Sequence, residues 1–168
     1  MPELTFILGG ARSGKSAHAE CLMEGLPGPW CYIATAQALD DEMRERIGRH
    51  QQQRVGEWYT VEAPLELAAA LRSVPDGQPV LIDCLTLWLT NHMLAGNDLT
   101  AEAAQLLDVL REPRGVWIVV SNEVGQGIVP DNALARRFRD EAGRLHQRVA
   151  AIADNVLFMV AGIPLKVK

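Results

Sequence analysis

The sequence predicts one α/β domain in which a mostly parallel β-sheet is flanked by helices. Short apolar runs alternate along the chain with longer amphipathic stretches, an order that is typical of strand–helix–strand units. The apolar runs are continuous rather than alternating, which indicates strands buried on both faces of a parallel sheet. The 168 residues contain no repeat, low-complexity tract or linker, so we expect a single domain over residues 1–168.

In the N-terminal half, apolar runs predict the strands, and capping and breaking residues delimit the helices. The predicted strands are Leu4–Leu8, Trp30–Ala34, the weakly alternating Trp58–Val61, and Val80–Asp83. The predicted helices are Ser16–Gly25, the charged segment Asp40–Gln53 with Asp40 or Asp41 as N-cap, and Leu65–Arg72 after Pro64.

The C-terminal half continues the same alternation. Two helices are predicted on either side of a Gly-Asn-Asp turn, and a longer helix carries one apolar stripe among five arginines. In chain order the elements are helices Leu85–Leu94 and Thr100–Arg111, strand Val116–Ser121, a loop Asn122–Pro130, helix Leu134–Ala153 and strand Val156–Val160.

Composition excludes several classes of function. The net charge is −5 and aromatic residues make up 5% of the chain, which argues against a general nucleic-acid-binding role. No apolar run is long enough to span a membrane, and we expect no secretory signal because Met1-Pro2-Glu3 leads directly into a strand-like run. The three cysteines form no CxxC pair and no zinc spacing, so we expect reduced, mostly buried thiols and a cytoplasmic protein.

The segment Gly9–Ser16 lies between the first predicted strand and the first predicted helix. It reads GGARSGKS and satisfies the phosphate-loop pattern GxxxxGK[ST]. Glycines let backbone N–H groups surround phosphate oxygens, and the following helix directs its positive end at them. Lys15 can reach the β- and γ-phosphates, and the Ser16 hydroxyl can bind Mg²⁺. The predicted nucleotide-binding residues here are Gly9, Gly10, Ala11, Arg12, Ser13, Gly14, Lys15 and Ser16.

A carboxylate is expected beside the phosphate loop to hold Mg²⁺, directly or through water. Asp83 closes a buried strand, and ligands of open α/β sheets bind at the carboxyl ends of the strands. The alternative is that Asp83 only caps the next helix. The phosphate loop by itself does not identify the reaction, but the chain has no guanine-specificity NKxD motif, and a small-molecule phosphotransferase is favoured over a switch or motor protein.

Seven segments taken together resemble one family. They are GGARSGKS (9–16), YIATA (32–36), LDDEM (39–43), IGRH (47–50), DCLTLWLTN (83–91), SNEVGQGIVP (121–130) and LARRFRDEAGRLHQ (134–147). The chain resembles the bifunctional adenosylcobinamide kinase / adenosylcobinamide-phosphate guanylyltransferases from Leu4 to its C-terminus. The resemblance implies a RecA-like fold, a homotrimer, ATP or GTP and Mg²⁺ as reactants, and two reactions. Adenosylcobinamide is phosphorylated, and GMP then passes from GTP through a histidine to that phosphate, giving adenosylcobinamide-GDP.

The resemblance also assigns individual residues. His50 matches the guanylylated histidine and, with Lys15, is the predicted catalytic residue; by its spacing alone His50 would be a packing residue. A neutral imidazole is a competent nucleophile near neutral pH. Asp83 stands where family members can carry Glu, which leaves direct or water-mediated Mg²⁺ contact open. The remaining nucleotide-contacting positions implied are Ala34, Thr35, Ala36, Gln51, Gln52, Gln53, Arg54, Glu62 and Asp83.

Two other readings of the sequence stay open. One is a P-loop small-molecule kinase with a single activity and a structural His50. The other is a nucleotide-dependent binding module without turnover. The first transfers only the γ-phosphate, and the second binds GTP without consuming it. The identity of the corrinoid-binding residues and the preferred phosphate donor are left open as well.

Overall fold

A computed structural model of the chain describes residues 1–37 and 57–168. These residues form seven strands and five helices. In chain order they are β1 (Glu3–Gly9), α1 (Lys15–Glu24), β2 (Trp30–Ala34), β3 (Trp58–Glu62), α2 (Leu67–Ser73), β4 (Val80–Asp83), α3 (Leu85–Ala95), α4 (Leu99–Leu110), β5 (Val116–Asn122), α5 (Ala133–Ile152), β6 (Asn155–Val160) and β7 (Ile163–Lys166).

The strands form one sheet in the order β3-β2-β4-β5-β1-β6-β7. Every neighbouring pair is parallel except β6 and β7, which form an antiparallel hairpin at one edge. Because the parallel strands all end at the same edge, the loops that follow them lie together. The phosphate loop after β1 is among these loops.

Helices cover both faces of the sheet, which explains why the strand sequences are apolar without alternation. On one face, Ala19 and Met23 of α1 pack against Ile7, Leu81 and Ile118 of the central strands. On the other face, α2 to α5 pack against the side chains that alternate with these along the strands. The core therefore lies on both sides of β1, β4 and β5, and their carboxyl ends stay fixed.

The α/β class, the parallel sheet and the predicted strands are confirmed, the weakly alternating Trp58–Val61 run included. The short strand β7 was not predicted: its four residues are exposed and include Pro164, so the run carries no signal of burial. The predicted helix Asp40–Gln53 lies outside the described residues. None of the helices within the described residues is long and apolar enough to cross a membrane.

Candidate functional site

The phosphate loop turns tightly between β1 and α1. Arg12 and Gly14 both have positive φ, 53° and 89° respectively, a conformation that suits glycine best. A side chain on Gly9 would collide with the Ser13 hydroxyl. Lys15 is 8% exposed, and its ammonium group donates to the Gly10 carbonyl at 3.0 Å, so the lysine bends back over the loop whose phosphate it is predicted to bind.

The turn of the β6–β7 hairpin packs against the phosphate loop. The Gly162 N–H donates to the Ser13 carbonyl at 2.9 Å, and a Cβ on Gly14 would lie 3.2 Å from the Gly162 Cα. The loop that follows β5 also contacts the phosphate loop, because the Glu123 N–H donates to the Gly9 carbonyl at 2.9 Å. Two remote parts of the chain thus hold the loop in place, and sequence reasoning found neither of them.

Two carboxylates lie level with each other on the same edge of the sheet. Glu62 of β3 is in register with Ala34 of β2, and Ala34 is in register with Asp83 of β4. Neighbouring strands are about 4.8 Å apart, so the backbones of Glu62 and Asp83 are about 10 Å apart across β2. The predicted nucleotide contacts Ala34, Glu62 and Asp83 therefore come from three adjacent strands.

The Thr35 side chain is bound within the fold. It is fully buried, and its hydroxyl accepts from the Cys84 N–H at 2.8 Å and donates to the Cys84 carbonyl at 2.7 Å. Its own N–H donates to the Asp83 carbonyl at 3.2 Å. The Thr35 side chain thus extends the ladder between β2 and β4 and fixes the backbone that carries Asp83.

Lys15 and Asp83 act on the same buried thiol. The pKa of Cys84 is raised to about 11. Burial raises it most and the negative charge of Asp83 adds to the rise, whereas hydrogen bonds with Thr86 and Leu87 and the positive charge of Lys15 oppose it. The predicted phosphate-binding lysine at the start of α1 and the predicted Mg²⁺-side carboxylate at the end of β4 thus both lie within electrostatic range of Cys84.

Polar side chains also join the end of β5 to this edge. The Asn122 amide donates to the Thr86 hydroxyl at 2.8 Å, and Asn122 is in register with Gly9 at the start of the phosphate loop. Beneath it, the Ser121 hydroxyl lies 2.8 Å from His146 Nε2. Burial lowers the pKa of His146 while the charge of Glu123 opposes that shift, so His146 is a neutral packing histidine.

The oxygen donors at this edge fit Mg²⁺. Ser16 offers a hydroxyl at the start of α1, and Asp83 offers a half-buried carboxylate; Mg²⁺ prefers such oxygen ligands and takes one or two from the protein, with phosphates and water completing its shell. Across residues 1–37 and 57–168, no cluster of three or more His, Cys, Asp or Glu side chains forms an all-protein cage. Ser16 and Asp83 would hold the ion, which would neutralise charge on the phosphates.

Five of the predicted site residues lie outside the described residues, among them the predicted nucleophile. They are His50, Gln51, Gln52, Gln53 and Arg54. The phosphate loop, Ala34, Thr35, Ala36, Glu62 and Asp83 all lie at the carboxyl edge of the sheet. Sequence reasoning included Asn91 only as part of the motif DCLTLWLTN and assigned it no role. Its amide lies in the otherwise apolar helix α3, which could have indicated that it hydrogen-bonds to backbone groups, as the structure shows.

Comparison with known proteins identifies the family. The model of the cobinamide kinase / cobinamide phosphate guanyltransferase family matches residues 5–167. The chain belongs to this family. Membership agrees with the resemblance carried by the seven sequence segments and with the phosphate loop and carboxylates described above.

Two curated relatives match over nearly their whole lengths. The bifunctional adenosylcobalamin biosynthesis protein CobP of Pseudomonas aeruginosa is 51% identical over 96% of this chain and 95% of its own. The protein CobU of Salmonella typhimurium, described in the same words, is 41% identical over 98% of this chain and 99% of its own. Among solved structures, the RadB recombinase has a TM-score of 0.56 at 19% identity, over 94% of this chain and 74% of its own, which supports the RecA-like fold.

Proposed function

We propose that this member of the cobinamide kinase / cobinamide phosphate guanyltransferase family carries out both reactions on adenosylcobinamide. In the first, the γ-phosphate of ATP or GTP passes to the aminopropanol hydroxyl. In the second, GMP passes from GTP to the new phosphate, giving adenosylcobinamide-GDP and pyrophosphate. The observation that carries the proposal is the phosphate loop with Lys15, Asp83 and Glu62 at one edge of the sheet, in a chain that matches the family over residues 5–167.

The kinase step needs the chain to hold a triphosphate and to stabilise the charge that moves during transfer. The backbone N–H groups of the phosphate loop and the start of α1 supply fixed dipoles directed at the phosphate oxygens. Lys15 already lies against this loop, and its ammonium group can exchange the Gly10 carbonyl for a phosphate oxygen. Mg²⁺, when bound by Ser16 and Asp83, would supply charge neutralisation.

The guanylyl step needs a nucleophile that attacks the α-phosphorus and can leave again. We assign this role to His50, whose neutral imidazole forms a P–N bond to GMP while pyrophosphate leaves. The phosphate of adenosylcobinamide-phosphate then attacks the same phosphorus, and the imidazole departs. His50 belongs to the segment between β2 and β3. The end of β2 pairs with Asp83, and the end of β3 lies one strand further along the same edge.

Glu62 and the turn 34–36 are proposed to bind the nucleoside end of GTP. A carboxylate can accept two hydrogen bonds, either from the ribose hydroxyls or from the N–H groups of guanine. Ala34 is in register with Glu62, so the two contacts come from adjacent strands. Gln51, Gln52, Gln53 and Arg54 are proposed as further nucleotide contacts by the resemblance.

The resemblance also supports a cytoplasmic homotrimer in which subunit contacts complete the site. The chain presents exposed arginines on α5, Arg137 and Arg148 among them, and most soluble homo-oligomers have closed symmetry. We propose that this basic face takes part in the subunit contacts. No nucleic-acid partner is proposed, in keeping with the net charge of −5.

The experiment that tests the proposal follows both products by mass spectrometry. The protein is given adenosylcobinamide and ATP with Mg²⁺, and then GTP, and we expect the phosphate and the GDP conjugate in turn. Lys15→Ala should lower both rates about 10²- to 10³-fold, because one preorganised charge is lost. Lys166→Ala, at an exposed position of β7, is the matched control and should retain both rates. Full activity in Lys15→Ala would contradict the phosphate-loop assignment, and formation of the phosphate alone would favour a single-activity kinase.

A further inference from the structure

Asn91 of α3 ties together the exits of two strands. Both hydrogen bonds come from its side-chain amide nitrogen: one to the Thr35 carbonyl at 2.8 Å and one to the Pro64 carbonyl at 2.9 Å. Thr35 follows β2 and Pro64 follows β3 shortly after Glu62. Asn91 is buried, so this amide serves the backbone rather than solvent. It lies behind the two segments proposed to contact the nucleoside.

The bond to Thr35 also sets the direction of a backbone donor. A trans peptide places its C=O and N–H on opposite sides. Because Asn91 holds the Thr35 carbonyl, the N–H of Ala36 in the same peptide unit points away from the buried amide. Ala36 is half-exposed at the carboxyl edge. Its N–H therefore points away from Asn91, and the proposed nucleoside contacts lie at this same edge of the sheet.

We propose that Asn91 is a positioning residue for the nucleoside end of the GTP site. It aligns the Ala36 N–H with Glu62 by fixing the peptide after Thr35 and the exit of β3. This inference rests on the proposed function, since it takes Glu62 and the turn 34–36 as nucleoside contacts. The phosphate loop is held by other groups, namely Gly162 and the start of the β5–α5 loop, so we expect Asn91 to act on the nucleoside end of the nucleotide.

Two neighbours of Asn91 on α3 supply a control. The Trp88 indole N–H donates to the Leu65 carbonyl at 3.0 Å, and His92 Nε2 lies 3.1 Å from the same oxygen. Both contact the chain after β3, but neither reaches Thr35. Trp88→Phe keeps an aromatic ring but loses the indole N–H and its hydrogen bond, while His92 still contacts the Leu65 carbonyl. The Trp88→Phe variant is a matched control for Asn91→Ala, because both residues are buried on α3 and both substitutions remove a side-chain hydrogen bond to a backbone carbonyl.

The experiment separates the two ends of the nucleotide by using two probes. Dissociation constants are measured with Mg²⁺ for a non-hydrolysable GTP analogue and for inorganic triphosphate, which lacks the nucleoside. Asn91→Ala should weaken the GTP analogue about tenfold, the equivalent of about one hydrogen bond. The dissociation constant of triphosphate should change by no more than about twofold in Asn91→Ala. In Trp88→Phe the dissociation constants of both probes should stay within about the same range.

A double-mutant cycle with Glu62→Ala tests whether Asn91 acts through the nucleoside contacts. The double variant should bind the GTP analogue more weakly than either single variant, but by less than the product of the two factors, because groups in one network are not additive. Asn91→Ser supplies one hydroxyl donor in place of the amide, so it should weaken binding of the GTP analogue in the same direction but by less. This variant tests the proposal if Asn91→Ala does not fold.

Three results would overturn the inference: equal weakening of both probes, as a general structural defect would give; unchanged binding of the GTP analogue in Asn91→Ala; or full additivity with Glu62→Ala. Failure of the proposed function has a different signature. In that case Glu62→Ala itself leaves the affinity of the GTP analogue unchanged, and the nucleoside assignment falls together with the role of Asn91.

Discussion

Replacing Thr35 by valine removes a hydroxyl that serves two backbone groups and preserves the shape of the side chain. The hydroxyl accepts from the Cys84 N–H and donates to the Cys84 carbonyl, and Thr35 is fully buried. Water cannot replace these partners without rearrangement. We expect Thr35→Val to destabilise the fold at the point where β4 passes into α3.

The size of the effect follows from the partners that remain. The Cys84 carbonyl keeps the Trp88 N–H at 3.2 Å, so its loss is that of one ordinary hydrogen bond, about 0.5–1.5 kcal/mol. The Cys84 N–H loses its acceptor in a buried position, which costs about 1–3 kcal/mol. Together we expect about 2–4 kcal/mol, or a fall in melting temperature of roughly 5–15 °C for a chain of this size.

Denaturant unfolding at a fixed protein concentration measures this loss, with Thr35→Ser as the control. Serine keeps the hydroxyl and removes one methyl group, which should cost only about 1 kcal/mol. A difference between the valine and serine variants near zero would refute the assignment of the hydroxyl to the Cys84 backbone.

Three further predictions concern the loop, the thiols and the assembly. Gly14→Ala should weaken nucleotide binding in a titration, because Gly14 has a φ of 89° and the new Cβ would lie 3.2 Å from the Gly162 Cα; unchanged affinity would contradict the tight turn. At pH 8 a thiol reagent should label Cys21, which is exposed, and spare Cys31 and Cys84 until denaturant is added, because burial raises the pKa of both and keeps them as thiols; labelling of either in the folded protein would contradict this. Light scattering should give three times the chain mass of 18.4 kDa, and an active monomer would reject the trimer.

Local sequence patterns were sufficient to predict the phosphate loop and the parallel sheet. The GxxxxGK[ST] pattern itself includes the glycines, the lysine and the hydroxyl that bind phosphate and Mg²⁺. The apolar run Val80–Asp83 ends at its carboxylate because an unpaired carboxylate inside a buried strand would be destabilising. The parallel class followed from runs without alternation. These features depend on residues close together in the chain.

The pairing of remote groups could not be predicted in this way. The Thr35 hydroxyl meets Cys84 across 49 positions, and Gly162 meets Ser13 through a hairpin whose strand β7 is exposed and short. The resemblance made the turn 34–36 a candidate for nucleotide contact, but it did not show that the Thr35 side chain is buried against Cys84. The level alignment of Glu62 with Asp83 likewise depends on strand register, which no local pattern determines.

The central claim is tested most directly by asking which phosphate of GTP stays on the protein. GTP labelled at the α- or the γ-phosphate is incubated with the protein and Mg²⁺, and the protein is separated from free nucleotide. The α-label should remain bound through a bond that acid cleaves and alkali spares, while the γ-label leaves with pyrophosphate. His50→Ala should abolish this labelling and retain at least part of the γ-phosphoryl transfer to cobinamide, because Lys15 and Asp83 are intact. Uptake of α-label by His50→Ala, or its absence from the unaltered protein, would contradict the account.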